Sequence, residues 1–222
     1  MRTFVRTERE DWVAPADAPL TQARLWQRMA GFIKPEDTVL AEIGTSNIGL
    51  TPQALAAGVS YITGNIWSAI GYTLPATLGT ALAASERRHL LFIGDGSFQL
   101  TAQELSTLLR LELKPIIFLL NNRGYTIDRY ILGMRDAYND VAPWKHAELA
   151  GLFSEHGNFV AAQARTEAEL ETVLEKAELC NALTFIELHL DPFDATAALK
   201  TFGPATAEFD YGPRGPQRRL SA

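Results

Sequence analysis

The sequence has few of the residues on which several classes of function depend. Its 222 residues include one cysteine, Cys180, so an intrachain disulfide and a cysteine metal cluster are both excluded. We interpret Cys180 as a buried, unreactive thiol inside a helical pattern. A single cysteine fits a reducing compartment, and we expect a cytoplasmic protein.

Positive charge and long apolar runs are scarce as well. Twenty Lys and Arg residues stand against 26 Asp and Glu, which leaves a net charge of −6. The basic cluster of Arg214, Arg218 and Arg219 lies in a Pro/Gly-rich tail that we interpret as solvated. A nucleic-acid surface would need a basic stripe, so we predict no nucleic-acid partner. No apolar run approaches the roughly 20 residues of a membrane span, and the charged N-terminus has no apolar signal core. We therefore predict no membrane association.

The pattern of apolar residues predicts an α/β protein. Continuous apolar strands alternate with helices, which is typical of a doubly wound, mostly parallel sheet with helices on both faces. We predict a linker over residues 1–19, a folded domain over 20–192 and a C-terminal tail over 193–222 that wraps the surface or stays mobile. Thr21 is expected to cap the first helix. Further helices are predicted near 102–111, 127–132, 144–153 and 167–180.

One predicted helix, from Ser68 to Ala84, is small or apolar on all sides. Such a helix should be buried, with another backbone close to it. Strands are predicted near 38–43, 59–63, 89–93, 115–120 and 184–190. In sheets of this kind ligands bind beyond the carboxyl ends of the strands. Three loops are expected to meet there: Gly44–Asn47, Gly94–Ser97 and Asn121–Gly124.

Two of these loops carry oxygen ligands. Gly94-Asp95-Gly96-Ser97 places a carboxylate on what we expect to be an exposed turn, and 24 residues separate Gly96 from Asn121-Asn122. Carboxylate, amide and carbonyl oxygens suit Mg²⁺ or Ca²⁺ shared with a diphosphate. Ser97 and the backbone N–H groups of the turns suit phosphate oxygens. Gly-Asp-Gly alone is a common turn and Asn-Asn an ordinary strand end, so the prediction depends on the pair at this spacing.

The longer motifs resemble a known family. Gly-Asp-Gly followed about two dozen residues later by Asn-Asn is the signature of thiamine-diphosphate enzymes. Four runs resemble the pyruvate and indolepyruvate decarboxylases in particular, and a fifth match is Tyr138-Asn139-Asp140 leading to Trp144. The resemblance extends in order from Leu20 to Pro192. The four runs are residues 42–46, 68–72, 93–106 and 121–129.

The resemblance implies a role for each matching residue. Thiamine diphosphate and Mg²⁺ would be the cofactors, and a small 2-oxo acid would be converted to an aldehyde and CO₂. Asp95, Asn122 and the Gly124 carbonyl would hold the metal. Ile70 would support the bent cofactor, although a core residue needs the same side chain. The remaining cofactor contacts would come from Gly44, Thr45, Ser68, Gly94, Gly96, Ser97, Asn122 and Tyr125.

Two positions depart from the family pattern. Asp128 stands where the family usually has a glutamate that acts on the substrate carboxylate and relays protons, so its shorter side chain changes the reach. Its other interpretation is a helix-start residue that stabilises the first turn. Ser68 stands where the family more often has glycine. A backbone carbonyl is used there, which a serine still supplies.

The other half of the family's active site is not found in this sequence. The family needs a glutamate and two adjacent histidines from a pyrimidine-binding domain of a neighbouring subunit. Here no two of the four histidines are adjacent, and we assign none of them to catalysis. We therefore expect either a fragment or one subunit of a split enzyme, working with a pyrimidine-binding domain in a homo- or hetero-oligomer. The alternatives are a carboligase of the acetolactate-synthase type and a catalytically silent cofactor-binding module.

Overall fold

A single sheet of six parallel strands forms the centre of the molecule. It is seen in a computed structural model that describes residues 15, 17–154 and 158–212. The strand order is β2-β1-β3-β4-β6-β5, and every neighbouring pair is parallel. The predicted doubly wound α/β fold is confirmed. The strands are β1 (Thr38–Ala41), β2 (Ser60–Ile62), β3 (His89–Gly94), β4 (Ile116–Asn121), β5 (Phe159–Ala164) and β6 (Leu183–His189).

Helices connect the strands and cover both faces of the sheet. The predicted cap is present, because the backbone N–H of Arg24 donates to the Thr21 hydroxyl at the start of α1. The α-helices of the described residues are α1 (Gln22–Phe32), α2 (Thr45–Leu50), α3 (Thr73–Ala83), α4 (Asp95–Thr101), α5 (Glu104–Arg110), α6 (Thr126–Leu132), α7 (Leu149–Phe153), α8 (Glu167–Leu179) and α9 (Ala197–Tyr211). Short 3-10 turns lie at Ala137–Asn139 and His146–Glu148.

Strands β1, β3 and β4 are largely apolar on both faces because helices cover both. Side chains alternate between two core clusters, so that Phe92 and Phe118 face one side while Leu91 and Ile117 face the other. Phe92 and Phe118 stack at 4.9 Å between ring centroids, and Trp26 of α1 packs edge-on against Phe92 at 5.7 Å. This core holds the carboxyl ends of β1, β3 and β4 in fixed positions.

The helix predicted over 68–84 begins only at Thr73, and the prediction of an all-round buried helix is wrong. Residues 65–70 are exposed, and the backbone takes left-handed φ angles at Ser68 (50°) and Gly71 (84°). These angles are incompatible with a right-handed helix. The helix that remains buries one face, with Leu74 and Ala81 inside and Leu82 outside.

Several elements differ from the predicted boundaries. The Gly44–Asn47 loop is mostly helix α2. The helix predicted over 102–111 is present as α5, and the Gly94–Ser97 turn before it continues into an additional helix, α4. The edge strand β5 is not among the predicted strands. The last thirty residues, predicted as a tail, contain the 15-residue helix α9, which is not among the predicted helices.

Helix α9 packs against α6. Gly203 of α9 lies against Tyr130, so a side chain at this position would collide with it, and the Tyr130 hydroxyl donates to the Phe193 carbonyl. Most of the predicted 1–19 linker, the arginine cluster of the tail and His156 lie outside the described residues. None of the described helices has the length and apolar character needed to cross a membrane.

Candidate functional site at the carboxyl edge of the sheet

The three predicted loops meet in one crevice. β2 pairs with one side of β1 and β3 with the other, so the direction of winding reverses between β1 and β3. Ligands of doubly wound sheets bind at such a switch point, beyond the carboxyl ends of the strands. The crevice encloses about 30 Å³. It is lined by Ile43, Gly44, Thr45, Ser46, Gly94, Asp95, Gly96, Ser97, Leu120, Asn122, Gly124, Tyr125, Thr126 and Ile127.

Asp95 lies at the bottom of this crevice and not on an exposed turn as predicted. Its side chain is buried (1% exposed) where β3 passes into α4. Oδ1 accepts from the Gly96 N–H (2.8 Å) and Oδ2 from the Gly124 N–H (3.2 Å). Burial raises the pKa of Asp95 to about 6, while these backbone donors and the nearby His146 act to lower it. The carboxylate therefore joins the loops that follow β3 and β4.

Asn122 places a second oxygen beside Asp95. Its Nδ2 donates to the Thr126 hydroxyl (2.8 Å), and that hydroxyl donates its own proton to the Pro192 carbonyl (3.0 Å). The side of the amide that carries Oδ1 then lies 3.3 Å from Asp95 Oδ1 and 2.8 Å from the carbonyl oxygen of Gly124. In this orientation three oxygens converge without a hydrogen-bond donor between them, which a bound cation would stabilise. In the opposite orientation the amide N–H groups would donate to Asp95 Oδ1 and Gly124 O, and the amide oxygen would accept from Thr126.

Glycine is required at two points of the crevice. Gly124 has a φ of 142°, and a Cβ there would collide with the Asn139 carbonyl, which accepts from the Tyr125 N–H at 2.8 Å. At Gly96 a Cβ would run into the ring of Tyr125. Both glycines therefore let backbone approach the crevice closely.

Three of the predicted site residues do not line the crevice. Ser68 and Ile70 belong to an exposed loop, residues 64–72, which precedes α3; Ile70 is 40% exposed. This exposure argues against the core role considered for Ile70. Asp128 lies in the first turn of α6, and burial raises its pKa above the usual aspartate range.

The 64–72 loop is nevertheless tied to the crevice. The Thr101 hydroxyl of α4 donates to the Gly71 carbonyl (2.9 Å). Glu42, directly after β1, accepts from both the backbone N–H (3.2 Å) and the hydroxyl (2.6 Å) of Thr73 at the start of α3. Burial raises the pKa of Glu42, although these hydrogen bonds oppose the rise. The C-terminal end of the loop is therefore held by the same segments that line the crevice.

A buried polar cluster behind the crevice was not predicted. Glu187 of β6 accepts from the Asn121 amide (2.6 Å) and from the Ala147 N–H (3.1 Å), and its Oε1 lies 3.2 Å from His146 Nδ1. Burial acts to raise the pKa of Glu187, but hydrogen bonds from His146 and Asn121 hold it below its usual value. The available signal was a single charged residue inside the apolar strand β6. His146 packs inside the protein.

A wider groove of about 480 Å³ lies elsewhere, lined by Trp144, Lys145, Glu148, Leu149 and Leu152. It shares no residue with the crevice. The described residues also contain no cluster of three or more His, Cys, Asp or Glu side chains that could hold a metal ion. The converging oxygens of Asp95, Asn122 and Gly124 therefore remain the best candidate for a cation site.

Comparison with known proteins shows the family to which the chain belongs. The profile of the family described as "Thiamine pyrophosphate enzyme, C-terminal TPP binding domain" matches residues 42–188, which include the whole crevice. The chain belongs to this family. Thiamine diphosphate is thus the cofactor of its domain type.

The relatives are 2-oxo acid decarboxylases by name. The chain is 38% identical to a pyruvate decarboxylase of Aspergillus fumigatus over 203 residues, which cover 89% of this chain and 36% of the relative. It is 43% identical to an alpha-keto-acid decarboxylase of Mycolicibacterium paratuberculosis over 165 residues, 73% of this chain and 29% of that protein. The chain therefore spans about a third of the length of these relatives.

A solved structure shows the same fold. The thiamine diphosphate-dependent 4-hydroxybenzoylformate decarboxylase of Rhodococcus jostii RHA1 superposes with a TM-score of 0.68 at 25% sequence identity, covering 84% of this chain and 35% of that one. The sequence-based assignment to a thiamine-diphosphate-dependent 2-oxo acid decarboxylase C-terminal domain is confirmed.

Proposed function

We propose that this chain is the diphosphate- and Mg²⁺-binding half of a non-oxidative 2-oxo acid decarboxylase. Its substrate would be a small 2-oxo acid such as pyruvate, phenylpyruvate or indolepyruvate, and its products an aldehyde and CO₂. The names of the relatives support the reaction class. The single observation that carries the proposal is the convergence of the Asp95, Asn122 and Gly124 oxygens at the switch point of the sheet.

These oxygens fit Mg²⁺. Magnesium binds oxygen at 2.0–2.1 Å in octahedral geometry, which places neighbouring ligand oxygens about 3 Å apart. The distances of 3.3 Å and 2.8 Å from the Asn122 oxygen to Asp95 Oδ1 and Gly124 O are of this size. The volume of about 30 Å³ accommodates an ion with one or two waters. The cofactor itself would extend beyond this crevice.

The surrounding residues would orient the diphosphate. Several groups that border the crevice can donate to phosphate oxygens. They are the hydroxyls of Thr45 and Ser97 and the backbone N–H groups of the turns at Gly44 and Gly96. Thiamine diphosphate, when bound, supplies the electron sink for loss of CO₂. Tyr125 covers Gly96 and would pack beside the cofactor. Ile70 and the Ser68 carbonyl, on the exposed 64–72 loop, would contact the rest of the cofactor.

Asp128 would supply the proton that the aldehyde product requires. Burial raises its pKa, so it holds a proton at higher pH than an exposed aspartate does. A protonated carboxyl tolerates an anionic 2-oxo acid nearby and can donate to the product. Because Asp128 follows Gly124 by four residues along the chain, α6 carries it close to the metal-binding turn.

The exposed part of the 64–72 loop would meet a partner. Ile66 and Trp67 are 90% and 89% exposed, an unusual exposure for two adjacent large apolar side chains. The family is one domain of a larger enzyme, and we propose that a pyrimidine-binding domain or subunit covers this loop. A cytoplasmic location, supported by the single cysteine, remains part of the proposal.

Aldehyde formation tests the proposed function. The chain would be assayed with thiamine diphosphate, Mg²⁺ and each of the three 2-oxo acids, alone and with an added pyrimidine-binding domain. We expect aldehyde only in the combined assay. Aldehyde from the chain alone would show that it contains its own pyrimidine-activating acid. A 2-hydroxy ketone as the main product would indicate a carboligase, and cofactor binding without any product a silent module.

A further inference from the structure

A chain of three side chains connects α2 to the exposed 64–72 loop. The Tyr61 hydroxyl of β2 donates to Asn47 Oδ1 (2.8 Å), and Asn47 Nδ2 donates to Asn65 Oδ1 (3.0 Å). We propose that Asn47 is a positioning residue that, through Asn65, holds the 64–72 loop in register with the Gly44–Thr45 turn. This inference rests on the proposed function, because Ser68 and Ile70 of that loop are its candidate cofactor contacts.

Both polar atoms of the Asn47 side chain have a partner. Burial raises the pKa of the Tyr61 hydroxyl to about 12, so this group stays protonated and can donate to Asn47 Oδ1. Asn47 Nδ2 donates to Asn65 Oδ1. Asn47 is itself buried in α2, where its backbone N–H donates to the Glu42 carbonyl at 3.0 Å. The contact to Asn65 therefore starts from a residue that the core of the protein holds in place.

The loop depends on contacts at its two ends. Its internal backbone hydrogen bonds include Ser68 N–H to the Gly64 carbonyl (3.1 Å) and a long one from Tyr72 to Ala69 (3.4 Å). Asn47 holds the N-terminal end through Asn65, while Glu42 holds the C-terminal end through Thr73. Glu42 and Asn47 flank the turn at Gly44 and Thr45. One short segment thus positions both the candidate diphosphate turn and the loop with the other cofactor contacts.

The test uses Asn65→Ala in the full chain. Asn65 is exposed, so its removal should leave the core intact. Two quantities are measured: hydrogen–deuterium exchange of residues 64–72 without cofactor, and calorimetric binding of thiamine diphosphate with Mg²⁺. A neutral hydrogen bond contributes about 1 kcal/mol, so we expect about fivefold faster exchange in the loop and about fivefold weaker binding.

Asn181→Ala is the matched control. Asn181 is also exposed and accepts a side-chain hydrogen bond from Lys114 (3.0 Å). It precedes β6, so it lies at the amino ends of the strands, away from the crevice. Its removal should change neither loop exchange nor binding. If the Asn65 contact only stabilised the fold, Asn65→Ala would behave like Asn181→Ala. It would lower the melting temperature without changing loop exchange or cofactor binding.

A double-mutant cycle completes the test. Asn47→Ala and Asn65→Ala break the same hydrogen bond, so the double variant should bind the cofactor no more weakly than Asn47→Ala alone. Unchanged binding and exchange in Asn65→Ala, or additive losses in the double variant, would overturn the positioning role. Failure of the proposed function is distinguishable, because then the wild-type chain itself would bind no thiamine diphosphate with Mg²⁺.

Discussion

The Thr126 hydroxyl lies 2.8 Å from the Asn122 amide and influences how that amide faces the crevice. When Thr126 Oγ1 donates to the Pro192 carbonyl (3.0 Å), it accepts from Asn122 Nδ2. The amide oxygen then faces Asp95 and the Gly124 carbonyl. The opposite orientation would point Nδ2 at those two oxygens and leave one Thr126 proton for two acceptors, Pro192 O and Asn122 Oδ1. A cation among the three oxygens favours the first orientation.

Thr126→Val should therefore weaken Mg²⁺-dependent cofactor binding without removing any ligand. Outer contacts that orient a metal ligand typically affect metal affinity by 10–100-fold, and we expect a loss of about tenfold. Calorimetry with thiamine diphosphate at fixed Mg²⁺ measures it. Thr126→Ser keeps the hydroxyl and should restore binding. Equal affinity in the valine and serine variants would mean that Thr126 does not orient Asn122.

Asp95→Asn should abolish Mg²⁺-dependent binding. The change keeps the size of the side chain but removes its charge, and we expect a loss of at least about 100-fold. Asp95→Ala is a less specific test, because Asp95 is buried and not on an exposed turn as the sequence predicts. It would leave the buried N–H groups of Gly96 and Gly124 without their acceptor, at a cost of about 1–3 kcal/mol. Retained binding in a folded Asp95→Asn variant would contradict the metal assignment.

The pH dependence of Mg²⁺ binding follows from the same residue. Burial raises the pKa of Asp95 from 3.8 to about 6, so protons compete with the cation as the pH falls through 6. Affinity should drop by about tenfold per pH unit below that value. Without Mg²⁺, protonation of Asp95 stabilises the folded chain, because the folded chain binds this proton more tightly than the unfolded one. The free energy of unfolding should then fall as the pH rises from about 4 to about 6.

Titration of Mg²⁺ binding between pH 5 and 8 measures the first effect, and urea unfolding between pH 4 and 7 without Mg²⁺ measures the second. Asp95→Asn is the control for the unfolding series, which should lose this slope. An Mg²⁺ affinity that stays constant from pH 7 to pH 5 would show that Asp95 is not a ligand.

Asp128→Ala should separate binding from turnover. Asp128 does not line the crevice, so cofactor affinity should stay within about twofold, whereas loss of a general acid typically costs 100-fold or more in turnover. The assay is aldehyde formation with the pyrimidine-binding partner present. Asp128→Glu restores the residue usual for the family and tests whether the shorter side chain limits the rate. Unchanged turnover in the alanine variant would reduce Asp128 to a residue that stabilises the first turn of α6.

The position of the crevice could be predicted because its signals are local. Gly-Asp-Gly and Asn-Asn each follow a continuous apolar strand, and parallel strands bring their carboxyl ends to one edge. The burial of Asp95 could not be predicted in the same way. It results from the approach of the turn at Gly124, which lies 29 residues later in the sequence and contacts Asp95 only in the folded chain.

The 64–72 loop shows why apolar composition was misleading. Ile66, Trp67 and Ile70 suggest a buried helix, but left-handed φ angles at Ser68 and Gly71 delay the start of α3 to Thr73. Exposed apolar clusters of this kind mark interaction sites, and their composition resembles that of a core. The same single-sequence reasoning gave no signal for β5, whose small and half-exposed residues lack a clear alternation, or for α9, which contains Gly203 and Pro204.

Calorimetric titration of the wild-type chain with thiamine diphosphate, with Mg²⁺ and then with a chelator in its place, tests the central claim most directly. The converging oxygens predict binding that requires Mg²⁺ and disappears with the chelator. Binding of equal strength without any divalent cation, or none in its presence, would contradict the assignment of Asp95, Asn122 and Gly124 as the metal-binding centre.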